Sequence, residues 1–207
     1  MASRCQRAPA IALTMACAVI AQAAVAHARP LHLTISVQDY AGLSPAVITQ
    51  TEAVVARIYH QIGVDIVWLD VARVAPTMLS DRAAPAVDWE SVIHVGLLSA
   101  AMEHKLRPDR GTVGVAITGS HLVRIFVSRV EYLASNSQQD LADVLGHVMA
   151  HEIGHLLLGP NAHSTAGLMA AVLDVPRIGL GGLSFDRRQA AVIRTKLAGD
   201  IGNLALR

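Results

Sequence analysis

The chain has 207 residues, of which 53% are hydrophobic and only 16% charged, with 17 basic against 16 acidic side chains and a net charge of +1. That supports one buried core and leaves little room for a second domain. It excludes a charged-tail protein, and it gives no electrostatic basis for binding nucleic acid.

The first segment stands apart. Arg4 and Arg7 precede a small-apolar run, and Ala26-His27-Ala28 forms an A-x-A cleavage site ahead of Arg29-Pro30. Residues 1–28 read as a signal peptide, which predicts a secreted or periplasmic protein with no membrane attachment after cleavage. An uncleaved anchor is the alternative, disfavoured because the run is Ala-rich and only weakly hydrophobic. Both cysteines, Cys5 and Cys17, lie in this segment. A metal site in the remaining domain, residues 29–207, therefore has to use His, Asp or Glu.

Residues 31–37 alternate Leu31, Leu33, Ile35 and Val37 with polar neighbours, which predicts a strand. Ser44-Pro45 starts a helix with a capping hydroxyl and an N1 proline, and apolar residues at helical spacing carry it to Ile62 and the stop at Gly63. Strands are predicted at 64–69, 92–98, 112–117 and 122–127, the last two joined by a turn at 118–120, with 70–90 as loop. A long helix is predicted from near Ser137, whose spacing to Asp140 suits a capping box, to Leu158. A loop over 159–183 follows, then a helix over 185–197 capped by Ser184. The expected class is α+β, a single domain built on one mixed sheet.

The chemistry concentrates in His151-Glu152-Ile153-Gly154-His155. Helical residues four apart stand about 40° apart around the axis and about 6 Å along it. Two imidazoles so placed converge on one zinc ion, and Glu152 stands one step round, near the metal without displacing a ligand. The helix is apolar on most sides, so an unused His-Glu-His group buried in it would be costly. A catalytic zinc needs a third protein ligand and an open position. No Glu follows Glu152, which leaves His147, His163, Asp174 and Asp186. His147 extends the stripe too far, because three ligands at i, i+4 and i+8 span about 12 Å, and it reads as an outer or partly solvated residue. His163 lies beyond Gly159-Pro160, which ends the helix and lets the chain fold back. It is the favoured third ligand, with Asp174 and Asp186 as the alternatives.

The run from His151 through His155 and Gly159 to His163, followed by Gly167-Leu168-Met169, resembles the metzincin clan of zinc peptidases, and Ser164 after the third histidine is most like the matrixin branch. Glycine and the third histidine each come later than in the clan's usual pattern, making the loop two residues longer. The resemblance implies a metzincin-like twisted mixed sheet, an active-site helix, a methionine turn and a C-terminal helix. It implies His151, His155 and His163 as ligands of one catalytic zinc ion, Glu152 as general base and Met169 as the apolar floor beneath the metal. It also implies that substrate lies antiparallel to an edge strand, here 111–116, so that Gly114, Val115 and Ala116 would pair with an extended peptide.

The expected function is that of an exported, monomeric zinc endopeptidase acting on peptide or protein substrates. Two alternatives stay open: a zinc hydrolase of a non-protein amide or a cell-wall peptide, and a noncatalytic exported module that keeps zinc for stability.

Overall fold

The computed structural model describes residues 30–70 and 91–204. The signal segment and nearly all of the loop predicted over 70–90 lie outside the described residues. Four predicted elements form where the residue pattern puts them: strand β1 (Leu31–Asp39), helix α1 (Pro45–His60), strand β2 (Val64–Trp68) and strand β3 (Ile93–Leu98). Ser44 caps α1 by accepting from the Val47 N–H, and Pro45 opens the helix where its missing donor costs nothing.

A short helix not foreseen from the sequence, α2 (Ala100–Leu106), follows β3. Then come strand β4 (Gly114–Ile117) and strand β5 (Leu122–Phe126). A second unforeseen helix, α3 (Val127–Ser137), leaves β5 without a turn residue between them. Ser137 therefore ends a helix rather than starting one, and Gln138 at φ 52° breaks the chain. Helix α4 (Leu141–Leu158) begins instead at Asp140, whose carboxylate accepts from the Ala142 and Asp143 N–H groups. The predicted capping box is displaced because the acidic member is the cap itself.

Within the 159–183 loop lies a four-residue helix, α5 (Val175–Ile178), capped by Asp174. The last helix, α6 (Arg187–Leu204), starts two residues later than predicted. Ser184 is not its cap: Asp186 accepts from the Gln189 N–H while the Gln189 side chain accepts from the Asp186 N–H.

The five strands form one mixed sheet in the order β2-β1-β3-β5-β4, parallel except for β4, which runs antiparallel to β5 at the edge. Ile35, Val95, Leu97, Val123 and Ile125 are fully buried together with Leu145, Val148, Met149 and Ile153 of α4 and Val55, Ile58 and Tyr59 of α1. The core is thus mainly aliphatic, with Tyr59 and Phe185 as its aromatic members. Helix α4 lies in the middle of it and brings its second half under β4. No helix among the described residues is long and apolar enough to cross a membrane.

Candidate metal centre

Burial decides the character of α4. Fourteen of its eighteen residues are buried, including His147, His151, Glu152 and His155. Polar side chains in such a helix need partners.

His151 and His155 find one each in the backbone. His151 Nδ1 lies 2.7 Å from the Leu168 carbonyl, and His155 Nδ1 lies 3.3 Å from the Gly159 carbonyl. A carbonyl only accepts, so both rings carry their proton on Nδ1 and turn a bare Nε2 inward. Those two Nε2 atoms face each other at 3.1 Å, and His163 Nε2 is 3.1 Å from that of His155. Two lone pairs at that distance repel unless a cation lies between them. Tetrahedral ligands at about 2.0 Å from zinc stand about 3.3 Å from one another, close to the 3.1 Å of the two pairs. The donor set therefore fits one zinc ion, held by His151, His155 and His163. Burial pushes the His151 imidazole down to about 4, with the neighbouring rings of His155 and His163 adding to it, and lowers that of His155 in the same way. Both are kept in the neutral form that binds metal.

His163 reaches the cluster by the bend the sequence predicts. Gly159 has φ 100° and ψ 168°, a conformation open to glycine alone. After the bend, the Ser164 N–H donates to the Met169 carbonyl at 2.8 Å and anchors the chain beside His163. His151 and His155 are buried whereas His163 is exposed, so the cluster opens to solvent on one side. Met169 is fully buried below α4. A Cβ on Gly154 would come within 2.6 Å of its Sδ, so a glycine is needed for the methionine to lie there.

The other candidates are used elsewhere. Asp174 and Asp186 cap helices. His147 is 1% exposed and spends both nitrogens on protein, Nδ1 on the Asp143 carbonyl at 2.7 Å and Nε2 on the Leu183 N–H at 3.1 Å. It lies outside the metal cluster, in keeping with its distance along the stripe, and is buried rather than partly solvated.

Glu152 points to the other side of the site, against β4. A Cβ on Gly114 would meet its Cγ at 2.7 Å, and the Ala116 N–H bonds to its carboxylate. Burial pushes this carboxyl up to about 7, and the Ala116 hydrogen bond only partly opposes the shift. Gly114 and Ala116 thus face Glu152, whereas Val115 points away and is exposed. Sequence reasoning missed the carbonyls of Leu168 and Gly159 and the N–H of Ala116. Backbone groups carry no residue signature, so nothing in the sequence could have revealed them.

No protein-family model matches the chain, and no curated protein matches it. Among solved structures, archaemetzincin from Methanopyrus kandleri matches with a TM-score of 0.50 over 83% of this chain and 98% of that chain, at 15% identity. A zinc-dependent peptidase from Methanocorpusculum labreanum matches with a TM-score of 0.46 over 78% of this chain and 99% of that one, at 12% identity. The chain shares the archaemetzincin fold: a single mixed α/β domain around a five-stranded sheet. The fold is that of archaemetzincin, and the three-histidine donor set fits one zinc ion.

Proposed function

We propose that this protein is an exported zinc-dependent endopeptidase in which Glu152 is the general base. One observation carries the reading: three imidazole Nε2 atoms converge around a point open to solvent, with a buried carboxylate on the neighbouring residue of the same helix. His151, His155 and His163 would hold the zinc ion, which would supply Lewis acidity toward the scissile carbonyl and the attacking water. Glu152, next in the helix to the ligand His151, would take the proton from that water and deliver it to the leaving amine. The Ala116 N–H and the close approach of Gly114 hold the carboxylate on the β4 side.

Among the described residues β4 pairs only with β5, which leaves an edge for an extended peptide to pair with. Gly114, Val115 and Ala116 are the residues assigned to that pairing, and Met169 is assigned the floor beneath the metal. The matrixin-like affinity rests on Ser164 following His163, and export rests on the character of residues 1–28. A noncatalytic module is disfavoured by the donor set, because a structural zinc site closes with four protein ligands. Among the described residues three histidines converge, and the acidic candidates for a fourth are engaged in helix caps.

The test is Glu152→Gln in the zinc-loaded protein. Zinc content stays at one per chain while cleavage of a peptide library falls at least about a thousandfold, within the range of a lost general base. If wild type cleaves no peptide but hydrolyses a non-protein amide, the substrate class changes and the mechanism stands. If Glu152→Gln cleaves as well as wild type, the assignment of the base is wrong.

A further inference from the structure

One largely buried cation takes no part in the metal site. Arg129 on α3 places Nε 2.6 Å from Glu103 Oε1 of α2. Its Nη1 donates to the carbonyls of Asp109 at 2.6 Å and Thr112 at 2.7 Å, and its Nη2 to that of Pro108 at 3.2 Å. The two side chains are only 24% and 17% exposed, and the guanidinium carbon lies 5.6 Å from the centre of the Phe126 ring. Glu103 also accepts from the Ser128 hydroxyl, which, ahead of Arg129 itself, holds its carboxyl below the usual range. Taking such a pair out of water is costly unless its hydrogen bonds are well made.

The three carbonyls belong to residues 107–113, which carry the chain from α2 to Gly114. Backbone bonds hold this loop mainly at its ends, Arg107 N–H to the Glu103 carbonyl and Phe126 N–H to the Val113 carbonyl, both at 2.9 Å. Between them there is one, Thr112 N–H to the Asp109 carbonyl at 3.2 Å, with positive φ at Arg107 and Gly111. The strand it leads to is four residues long and is paired on one side. A central strand is located by two neighbours; among the described residues β4 has one. Yet β4 has to pass Glu152 so closely that even a Cβ on Gly114 would collide with it.

We propose that Arg129, oriented by Glu103, is the positioning residue that sets where β4 lies over Glu152, and thereby the register in which an extended peptide is received. The second half of this inference rests on the reading of β4 as the substrate strand. The planar fork bonds three carbonyls and a carboxylate at once, which a lysine ammonium cannot reproduce.

The experiment compares wild type with Arg129→Lys and Glu103→Gln in the full, zinc-loaded chain, by amide hydrogen exchange and by peptide kinetics. Amides of residues 114–117 are expected to exchange at least about tenfold faster in Arg129→Lys, with those of β1 and β3 unchanged and zinc stoichiometry kept. KM for a peptide long enough to pair with β4 rises about tenfold, the worth of one or two backbone hydrogen bonds, while KM for a peptide trimmed to one residue before the scissile bond stays within about twofold. Glu103→Gln, which leaves the arginine in place, gives the same pattern at smaller amplitude. Should Arg129→Lys fail to fold, Glu103→Gln decides alone by the same two readouts. Faster exchange across the whole sheet, or equal loss for both peptides with KM unchanged, describes a merely structural residue and overturns the proposal. Absence of any peptide cleavage by wild type removes the substrate reading, and the exchange comparison still decides whether Arg129 places the strand.

Discussion

His147 and His151 stand one turn apart on the same helix, both nearly free of solvent, and they do opposite things. His147 has both nitrogens bonded to backbone, one within α4 and one across to Leu183. His151 has one nitrogen on the Leu168 carbonyl and the other aimed at two more imidazoles. Residue type, helix face and burial are the same. What differs is whether the second nitrogen meets a donor: with the Leu183 N–H it becomes a pin in the core, and with two other lone pairs it becomes a metal ligand. A glycine accompanies each of the two polar clusters, Gly114 against Glu152 and Gly182 against His147.

The largest effect expected from breaking this contrast is on the metal. His155→Ala should take zinc from one per chain to near none, because two imidazoles do not retain it. His163→Ala should weaken retention strongly. Metal analysis of the His147→Gln protein should still give one zinc per chain; loss of zinc there would move His147 into the metal site.

Next in size is the effect of crowding the two glycines. Gly114→Ala would press a methyl against Glu152, and cleavage should fall about a hundredfold, as misplacement of a reacting group by an ångström does, with zinc retained. Gly182→Ala has φ 86° to contend with and a contact of 3.0 Å to His147 Nε2. It should cost about 1–2 kcal/mol of stability while the folded fraction keeps its activity. Equal loss of activity in the two variants would erase the distinction between the regions.

The smallest effect is in pH. Burial, with Arg57 assisting and the Asp143 carbonyl and carboxylate opposing, holds His147 below its ordinary value. Below about pH 6.5 the unfolded chain then binds a proton that the folded chain resists, so stability is lost as pH falls. Thermal unfolding between pH 7.5 and 5.5 should show a shallower decline in His147→Gln than in wild type, by a few degrees of Tm at the acid end. Parallel curves would show that the ring titrates in the fold as it does in the open chain.

The elements governed by neighbouring residues were legible in the sequence. Alternation located β1, short apolar runs located the other four strands, Ser44-Pro45 marked the start of α1, and the four-residue spacing of His151 and His155 placed two ligands on one helical face. Helix α3 escaped because it follows Phe126 with no capping side chain and no breaker, so the apolar run of β5 blends into it. The start of α4 was misplaced because Ser137 and Asp140 both look like caps, and only the αL turn at Gln138 decides between them.

Tertiary structure alone decided the rest. The Gly159-Pro160 break already let His163 fold back, but the Ser164 to Met169 contact that anchors it is tertiary, and so is the partner that pins His147 in the core, Leu183, 36 residues away. The grip of Arg129 on Glu103 joins residues 26 apart. Helical and strand periods act within a few residues and are written into the chain. The partner of a buried polar group is whatever the packed core brings opposite it, and local sequence holds no record of that.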